Sequence, residues 1–277
     1  MLTAAECERL CVVLVRTRNP LNIGAAARAM SNFGFSRLRV VKPWAASFRE
    51  ARSAVGASEV LTDAEEFVSV AESVADCRLV VGTTAVRRRE LQHPLKSLEE
   101  GAPILLGELL RKESLRKKTA NTSPGYPPRV AILFGSEKTG LSNQALSHCH
   151  WLMRIPTSER SVSMNLGQAV AVCLYELSRG GKSGESSHSR EPERAASGEI
   201  ERMTALLLDA MRASGYLPQP AAVSHGDRSA GGELAEEKIR RLVRRLDLSG
   251  DDAEIWLGIF RQIAWKLRSQ QDSAGPQ

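Results

Sequence analysis

Asn22 and Arg28 bracket a run of small residues, Ile23-Gly24-Ala25-Ala26-Ala27, just downstream of the apolar stretch Cys11-Val12-Val13-Leu14-Val15. Glycine and alanine keep such a first helical turn narrow, so another backbone can approach it closely, and the two flanking side chains are left to do the polar chemistry. A geometry of this kind suits a nucleotide or a nucleic acid. Two later segments have the same build. Ile132-Leu133-Phe134 runs into Gly135-Ser136-Glu137-Lys138-Thr139-Gly140-Leu141-Ser142-Asn143, and Ile155-Pro156 runs through Ser161-Val162-Ser163-Met164-Asn165 into a helical pattern. Nearly all the unusual residues of the chain sit at these three strand-to-helix junctions.

Other chemistries lack their fingerprints. There is no GxxxxGK[ST] phosphate loop, and no GxGxxG follows a strand with an acidic residue about 20 positions on. No GxSxG elbow and no HExxH occurs. Cys7, Cys11, Cys77, Cys149 and Cys173 are odd in number and contain no CxxC pair, so they read as small buried hydrophobes and not as disulfides or a zinc site. His148 and His150 have the spacing of a ligand pair, yet read better as an incidental surface pair near a strand start, and no metal is expected.

The elements that must position the junctions follow from hydrophobic runs. Short aliphatic stretches at residues 12–15, 38–41, 79–81, 130–134 and 152–155 end in Gly, Pro or Thr, with helical stretches between several of them. Continuous apolar strands alternating with helices predict an α/β fold with a mostly parallel sheet covered on both faces. Ligands bind such sheets at the carboxyl ends of the strands, where all three junctions lie. The strongest helix follows Asn165, with Leu166, Ala169, Val170, Cys173, Leu174 and Leu177 on one face and Gly180-Gly181 at its end. Residues 180–198 hold almost no apolar side chain and read as a flexible linker, dividing residues 1–179 from an all-helical unit at 199–277. Three helices are predicted there, over about 199–214, 233–247 and 252–269. The middle one carries Lys238, Arg240, Arg241, Arg244 and Arg245 around an apolar stripe. Such a face either tracks phosphates or is neutralised by acids such as Glu236 and Glu237.

At 277 residues the chain accommodates a large core plus a smaller unit. Its formal charge of +6 favours an anionic partner. The excess lies in the first 198 residues, with basic clusters at 87–89, 111–112 and 116–118. No apolar run approaches the ~20 residues of a membrane span, and the N-terminus lacks a secretory pattern, so a cytoplasmic protein is expected.

Taken together, NIGAAARAM, ILFGSEKTGLSN and IPTSERSVSMNLGQAVAVCLYEL resemble the three ordered motifs of the SPOUT superfamily of RNA methyltransferases. The nearest likeness is to the TrmJ-like tRNA ribose 2′-O-methyltransferases of its TrmH branch. The likeness covers about residues 10–178, and the helical tail is similar to the family's C-terminal extension. It implies a C-terminal trefoil knot whose loops hold S-adenosyl-L-methionine, here through Thr83, Thr84, Ala85, Gly135, Ile155, Ser163, Met164 and Asn165. It also implies a homodimer in which each site borrows from its neighbour. Arg28 corresponds to the family's catalytic arginine, with Asn22, Glu137, Ser163 and Asn165 at other characteristic positions. Helix capping would explain Asn22 and Ser163 equally well, and a solvated arginine would explain Arg28. The implied reaction is 2′-O-methylation of tRNA at a cytidine or uridine of the anticodon loop, position 32 in characterised relatives. Ribosomal RNA as substrate, and a noncatalytic RNA-binding protein of the same fold, are the alternatives. The chain departs from the pattern at Val86, where the family often has arginine. Either one of Arg87, Arg88 and Arg89 takes over the RNA contact or the contact is absent.

Overall fold

The computed structural model describes residues 2–53, 59–85, 92–111, 129–158, 160, 163–180, 193–218 and 229–273. Most of the expected linker, together with residues 86–89, 116–118, Ser161 and Val162, lies outside the described residues.

Seven strands are present: β1 (Leu10–Val15), β2 (Arg37–Val41), β3 (Glu65–Phe67), β4 (Cys77–Thr83), β5 (Leu95–Ser97), β6 (Arg129–Phe134) and β7 (Trp151–Arg154). They form one sheet in the order β3-β2-β1-β6-β4-β7-β5, and every pairing is parallel. The helices are α1 (Ala4–Cys7), α2 (Pro20–Asn32), α3 (Ala45–Ser53), α4 (Glu59–Thr62), α5 (Val70–Ser73), α6 (Leu98–Leu110), α7 (Asn143–Leu146), α8 (Leu166–Gly180), α9 (Ser197–Ala213), α10 (Ser229–Arg245) and α11 (Gly250–Ser273). The central strands are apolar throughout because both sheet faces are covered; every residue of β1 and of β6 is buried. No helix among the described residues is long and apolar enough to cross a membrane.

The run of small residues serves a helix pair. Asn19 caps α2, its side chain accepting the Leu21 N–H at 2.9 Å, with Pro20 in the first turn. Ile23, Ala26, Ala27 and Met30 face the sheet. The close neighbour that the narrow turn admits is α8: a Cβ on Gly167 would sit 2.6 Å from the Ala25 Cβ.

A buried charged node ties the sheet to α5. Arg39 on β2 donates to both Asp76 oxygens, at 2.6 and 2.8 Å, and to the Ser73 carbonyl at 2.7 Å; Arg129 on β6 pairs with the same carboxylate. Both arginines are buried. Burial works against ionisation of Asp76, but hydrogen bonds from Arg39 and Arg129 prevail and hold its carboxyl well below the usual carboxylate range.

The C-terminal helices form their own core from Ile200, Met203, Val243, Ala253 and Leu257. They also dock on the sheet unit: the Gly198 N–H donates to the Ala75 carbonyl at 2.8 Å. The basic stripe of α10 is not an open phosphate track. Arg241 and Arg244 are buried, Arg240 and Arg244 pair with Glu201 of α9 at 3.0 and 3.7 Å, and Arg241 pairs with Glu237. Lys238 and Arg245 remain exposed. His148 and His150 are not a surface pair either. His148 is buried against Glu201 at 3.5 Å, and Nδ1 of the half-buried His150 accepts the Val80 N–H at 3.1 Å.

Burial, with Arg244 adding to it, pushes His150 down to about 3 from its ordinary 6.5, and burial likewise lowers His148. Each binds its proton more weakly in the folded chain than in the unfolded one. Their contribution is therefore complete above roughly pH 6.5 and is lost as pH falls toward the folded values. Glu201, brought to about 2 by His148, Arg240 and Arg244 against the opposing effect of burial, extends the loss below its ordinary 4.5. Thermal melts should thus show Tm flat above neutrality and declining below about pH 6.5, with a shallower decline between about pH 6.5 and 5 in His150→Asn. Asp76→Asn, which removes the carboxylate shared by Arg39 and Arg129 while Glu65 stays on Arg39 at 3.0 Å, should cost about 2–3 kcal/mol in urea unfolding, less than a fully broken buried pair because Arg39 keeps Glu65 and Asp76 keeps some solvent contact.

Candidate active site

The carboxyl ends of β4, β6 and β7 and the start of α8 enclose a cavity of about 300 Å³. Thr83, Thr84 and Ala85 come from the first of these ends. Gly135, Ser136, Glu137, Lys138, Thr139, Gly140 and Leu141 come from the second, Ile155 and Thr157 from the third, and Ser163 and Met164 from the approach to α8. The wall is mixed, with Leu141, Met153, Ile155 and Met164 supplying apolar surface among hydroxyls and backbone.

Each loop is fixed by its own bonds. The Thr83 hydroxyl donates to the Leu133 carbonyl at 2.9 Å, and the Thr84 N–H donates to the Met153 carbonyl at 3.0 Å, locking the β4 loop to both neighbouring strands. After β6 the chain turns back on itself. The Gly140 N–H donates to the Ser136 carbonyl at 2.7 Å, and Gly140 takes φ +66°, which favours glycine. Gly135 is fixed by space: a Cβ there would lie 2.1 Å from the Gly140 carbonyl carbon and 2.3 Å from the Leu141 nitrogen.

A polar line joins all three sequence motifs at the rim. Asn165 caps α8, its side-chain oxygen accepting the Gly167 N–H at 2.9 Å. Its Nδ2 donates to Asn22 Oδ1 at 2.7 Å, and Asn22 Nδ2 donates to Glu137 Oε1 at 3.0 Å. The Arg18 N–H approaches the other Glu137 oxygen at 3.5 Å. Asn22, Glu137 and Asn165 lie 143 positions apart at the extremes yet form one chain of side-chain hydrogen bonds.

Seven of the eight expected donor-site residues line the cavity: Thr83, Thr84, Ala85, Gly135, Ile155, Ser163 and Met164. Asn165 stands beside it as cap and rim. Glu137 lines it, Asn22 reaches it through Glu137, and Arg28 lies outside it, exposed on α2. Sequence reasoning did not single out Ser136, Lys138, Gly140, Leu141 and Thr157 as lining. The signal available was the second glycine, five residues after Gly135, which closes the turn and brings Leu141 inward. Among the described residues no group of three or more His, Cys, Asp and Glu is placed to hold a metal ion.

Residues 9–175 match the SpoU rRNA Methylase family. A Pseudomonas aeruginosa protein named tRNA (cytidine/uridine/adenosine-2′-O-)-methyltransferase TrmJ is 37% identical over 171 residues, 61% of this chain and 60% of the relative, so that match spans less than two thirds of the relative's length. A Cronobacter sakazakii protein named tRNA (cytidine/uridine-2′-O-)-methyltransferase TrmJ is 30% identical over 257 residues, 92% of this chain and 96% of its own. Among solved structures, TrmJ from Z. mobilis ZM4 superposes with a TM-score of 0.69 at 28% identity, covering 91% of this chain and 98% of that one.

The clash at Gly135 makes a prediction independent of activity. Gly135→Ala should push the 136–141 turn outward and loosen its Ser136–Gly140 bond. Amide exchange at Gly140 should then rise at least about tenfold by hydrogen-exchange mass spectrometry, while amides of β1 keep their protection.

Proposed function

The chain belongs to the SpoU methylase family, and from that premise we propose that it uses S-adenosyl-L-methionine to methylate a ribose 2′-hydroxyl of tRNA, at a cytidine or uridine of the anticodon loop, position 32. The observation that carries this reading is the cavity at the carboxyl ends of β4, β6 and β7 with the Asn22–Glu137–Asn165 line along its rim. The protein works in the cytosol as a homodimer, with the knot that the SPOUT resemblance implies at the carboxyl end of the sheet.

The residues present fit the methyl donor. About 300 Å³ lies at the small end of ligand cavities, and the missing Cβ of Gly135 lets backbone N–H and C=O groups come close to a flat ligand. Thr83, Thr84, Ala85, Gly135, Ile155, Ser163 and Met164 would hold it. Glu137 contributes an anionic wall suited to a sulfonium. The donor supplies an electrophilic methyl group on that sulfonium. The protein must then hold the ribose oxygen in line with the methyl carbon and stabilise negative charge as the hydroxyl gives up its proton.

Arg28 is the group for that charge. A guanidinium is a poor proton acceptor at neutral pH, so its role is to grip the adjacent phosphate and stabilise the developing oxyanion. It is exposed, makes no hydrogen bond or ion pair among the described residues, and lies off its own cavity. That placement is consistent with Arg28 serving the partner protomer's site. Asn22 and Asn165 hold Glu137 in place. The C-terminal helices contribute RNA contacts through residues such as Lys238 and Arg245, which remain exposed on α10.

The test is transfer of labelled methyl groups to total tRNA and, separately, to rRNA, followed by nucleoside mass spectrometry. Wild type should yield 2′-O-methylcytidine or 2′-O-methyluridine in tRNA, and Arg28→Ala should reduce kcat by about 100-fold or more, the scale of losing one oxyanion-stabilising group. Methylation of rRNA alone would overturn the substrate assignment, and RNA binding without transfer to either would overturn the enzyme assignment. Arg28→Lys separates charge from geometry, since an ammonium keeps the charge but loses the planar fork.

A further inference from the structure

One strand over from the cavity lies a surface that methyl transfer itself does not use. The segments that follow β1 and β2 place Arg16, Arg18, Lys42 and Trp44 on the outside of the protein. Trp44 is 58% exposed, and the guanidinium carbon of Arg18 lies 5.7 Å from its ring centre, within cation–π range. Backbone bonds hold the two segments together: the Trp44 N–H donates to the Thr17 carbonyl at 3.1 Å, and the Arg16 N–H donates to the Val41 carbonyl at 2.9 Å. Arg16 and Lys42 both adopt left-handed backbone, with φ of 55° and 43°. Side-chain-bearing residues persist in that region only where their surroundings over-determine them, and such positions cluster at binding sites.

The electrostatics are equally one-sided. Arg16, Arg18 and Lys42 form no ion pair with a carboxylate among the described residues, and Arg49 on α3, five positions after Trp44, is exposed. The surface adjoins the cavity, because the Arg18 N–H approaches Glu137, which lines it. A protein partner anchored on Trp44 would want an apolar surround and few charges at its centre, whereas this ring carries the Arg18 guanidinium and sits on two bonded segments that also bear Arg16 and Lys42. Unpaired RNA is held in the opposite way, with bases stacked on aromatic rings and guanidinium planes while lysine and arginine track the phosphates.

We propose that Trp44 and Arg18 form a stacking platform for an unpaired base adjacent to the methylated nucleotide, with Arg16 and Lys42 on its phosphates. The proposal rests on the RNA-methylation reading of the neighbouring cavity. A base laid on the indole completes a stack whose other layer is Arg18. The platform thereby selects substrates that present a splayed loop beside the target, and discriminates against paired RNA of the same charge.

The experiment measures binding of an unmodified anticodon stem-loop RNA and of a blunt RNA duplex at one fixed salt concentration, by fluorescence anisotropy, with wild type, Trp44→Ala, Trp44→Phe and Arg18→Ala. Trp44→Ala should weaken stem-loop binding about tenfold, the order expected for one lost base–aromatic stack, and should leave duplex binding unchanged. Trp44→Phe should recover most of the loss. S-adenosylhomocysteine affinity should match wild type in Trp44→Ala, and in turnover its KM for RNA should rise by more than kcat falls. Equal stem-loop affinities for wild type and Trp44→Ala, or an equal loss on the duplex, would overturn the platform. Because binding needs no turnover, a wild type that yields no 2′-O-methyl product sinks the enzyme reading in a separate arm.

Discussion

At Gly135 two stretches of backbone meet more closely than any side chain permits, and the site depends on that contact. The strand β6 arrives buried on both faces and must release the chain at the sheet edge. It does so by folding 136–141 back over its own end, so that Leu141 enters the core while Ser136 to Gly140 become cavity wall. Every other wall is positioned relative to this turn. The β4 loop is tied to β6 and β7 through Thr83 and Thr84, and the α8 start is tied to the turn through Asn165, Asn22 and Glu137. A second close approach, Gly167 against Ala25, sets the spacing of α2 and α8 and so the reach of that polar line.

An all-parallel sheet explains why three distant motifs converge. Parallel pairing puts every carboxyl end on one edge, and the order β1-β6-β4-β7 places the β6 loop between the loops after β1 and β4. Neighbouring strands thus present Arg18 and Trp44, then Glu137, then Thr84, along one rim. Groups from distant parts of the chain need no long excursions to meet; they are adjacent because their strands are.

The long strands, α2 and α8 were legible in the sequence because their signals are local: runs of three to five residues that are apolar or broken by a single arginine and end in Gly, Pro or Thr, and apolar spacing of three and four. A ligand site at the carboxyl ends of the strands followed from the sheet pattern, whereas its individual lining residues came from the resemblance to the SPOUT motifs, since each one singly reads equally well as a turn residue or cap. The edge strands β3 and β5 were not, since three residues give no period to read and Glu65-Glu66-Phe67 contains only one apolar residue. Nor was the burial of Arg39, Arg129 and Arg244. An arginine reads as surface until its carboxylate is found, and Asp76 stands 37 positions from Arg39, while Glu201 stands 39 from Arg240. His150 was misjudged for the same reason: its partner is the Val80 amide, 70 positions away.

The docking of the C-terminal helices has a consequence for how such a chain can change. Glu201, His148, Arg240 and Arg244 straddle the two units, and Gly198 meets the Ala75 carbonyl so closely that a Cβ would lie 3.0 Å from it. These groups are shielded by one another, so neither unit presents a finished surface alone. Exchanging the helical tail for another module would strand His148 and the Ala75 carbonyl without their partners. Exposed positions of the tail such as Lys238 and Arg245 are therefore free to change one side chain at a time, while wholesale replacement of the tail is blocked by the seam that holds it.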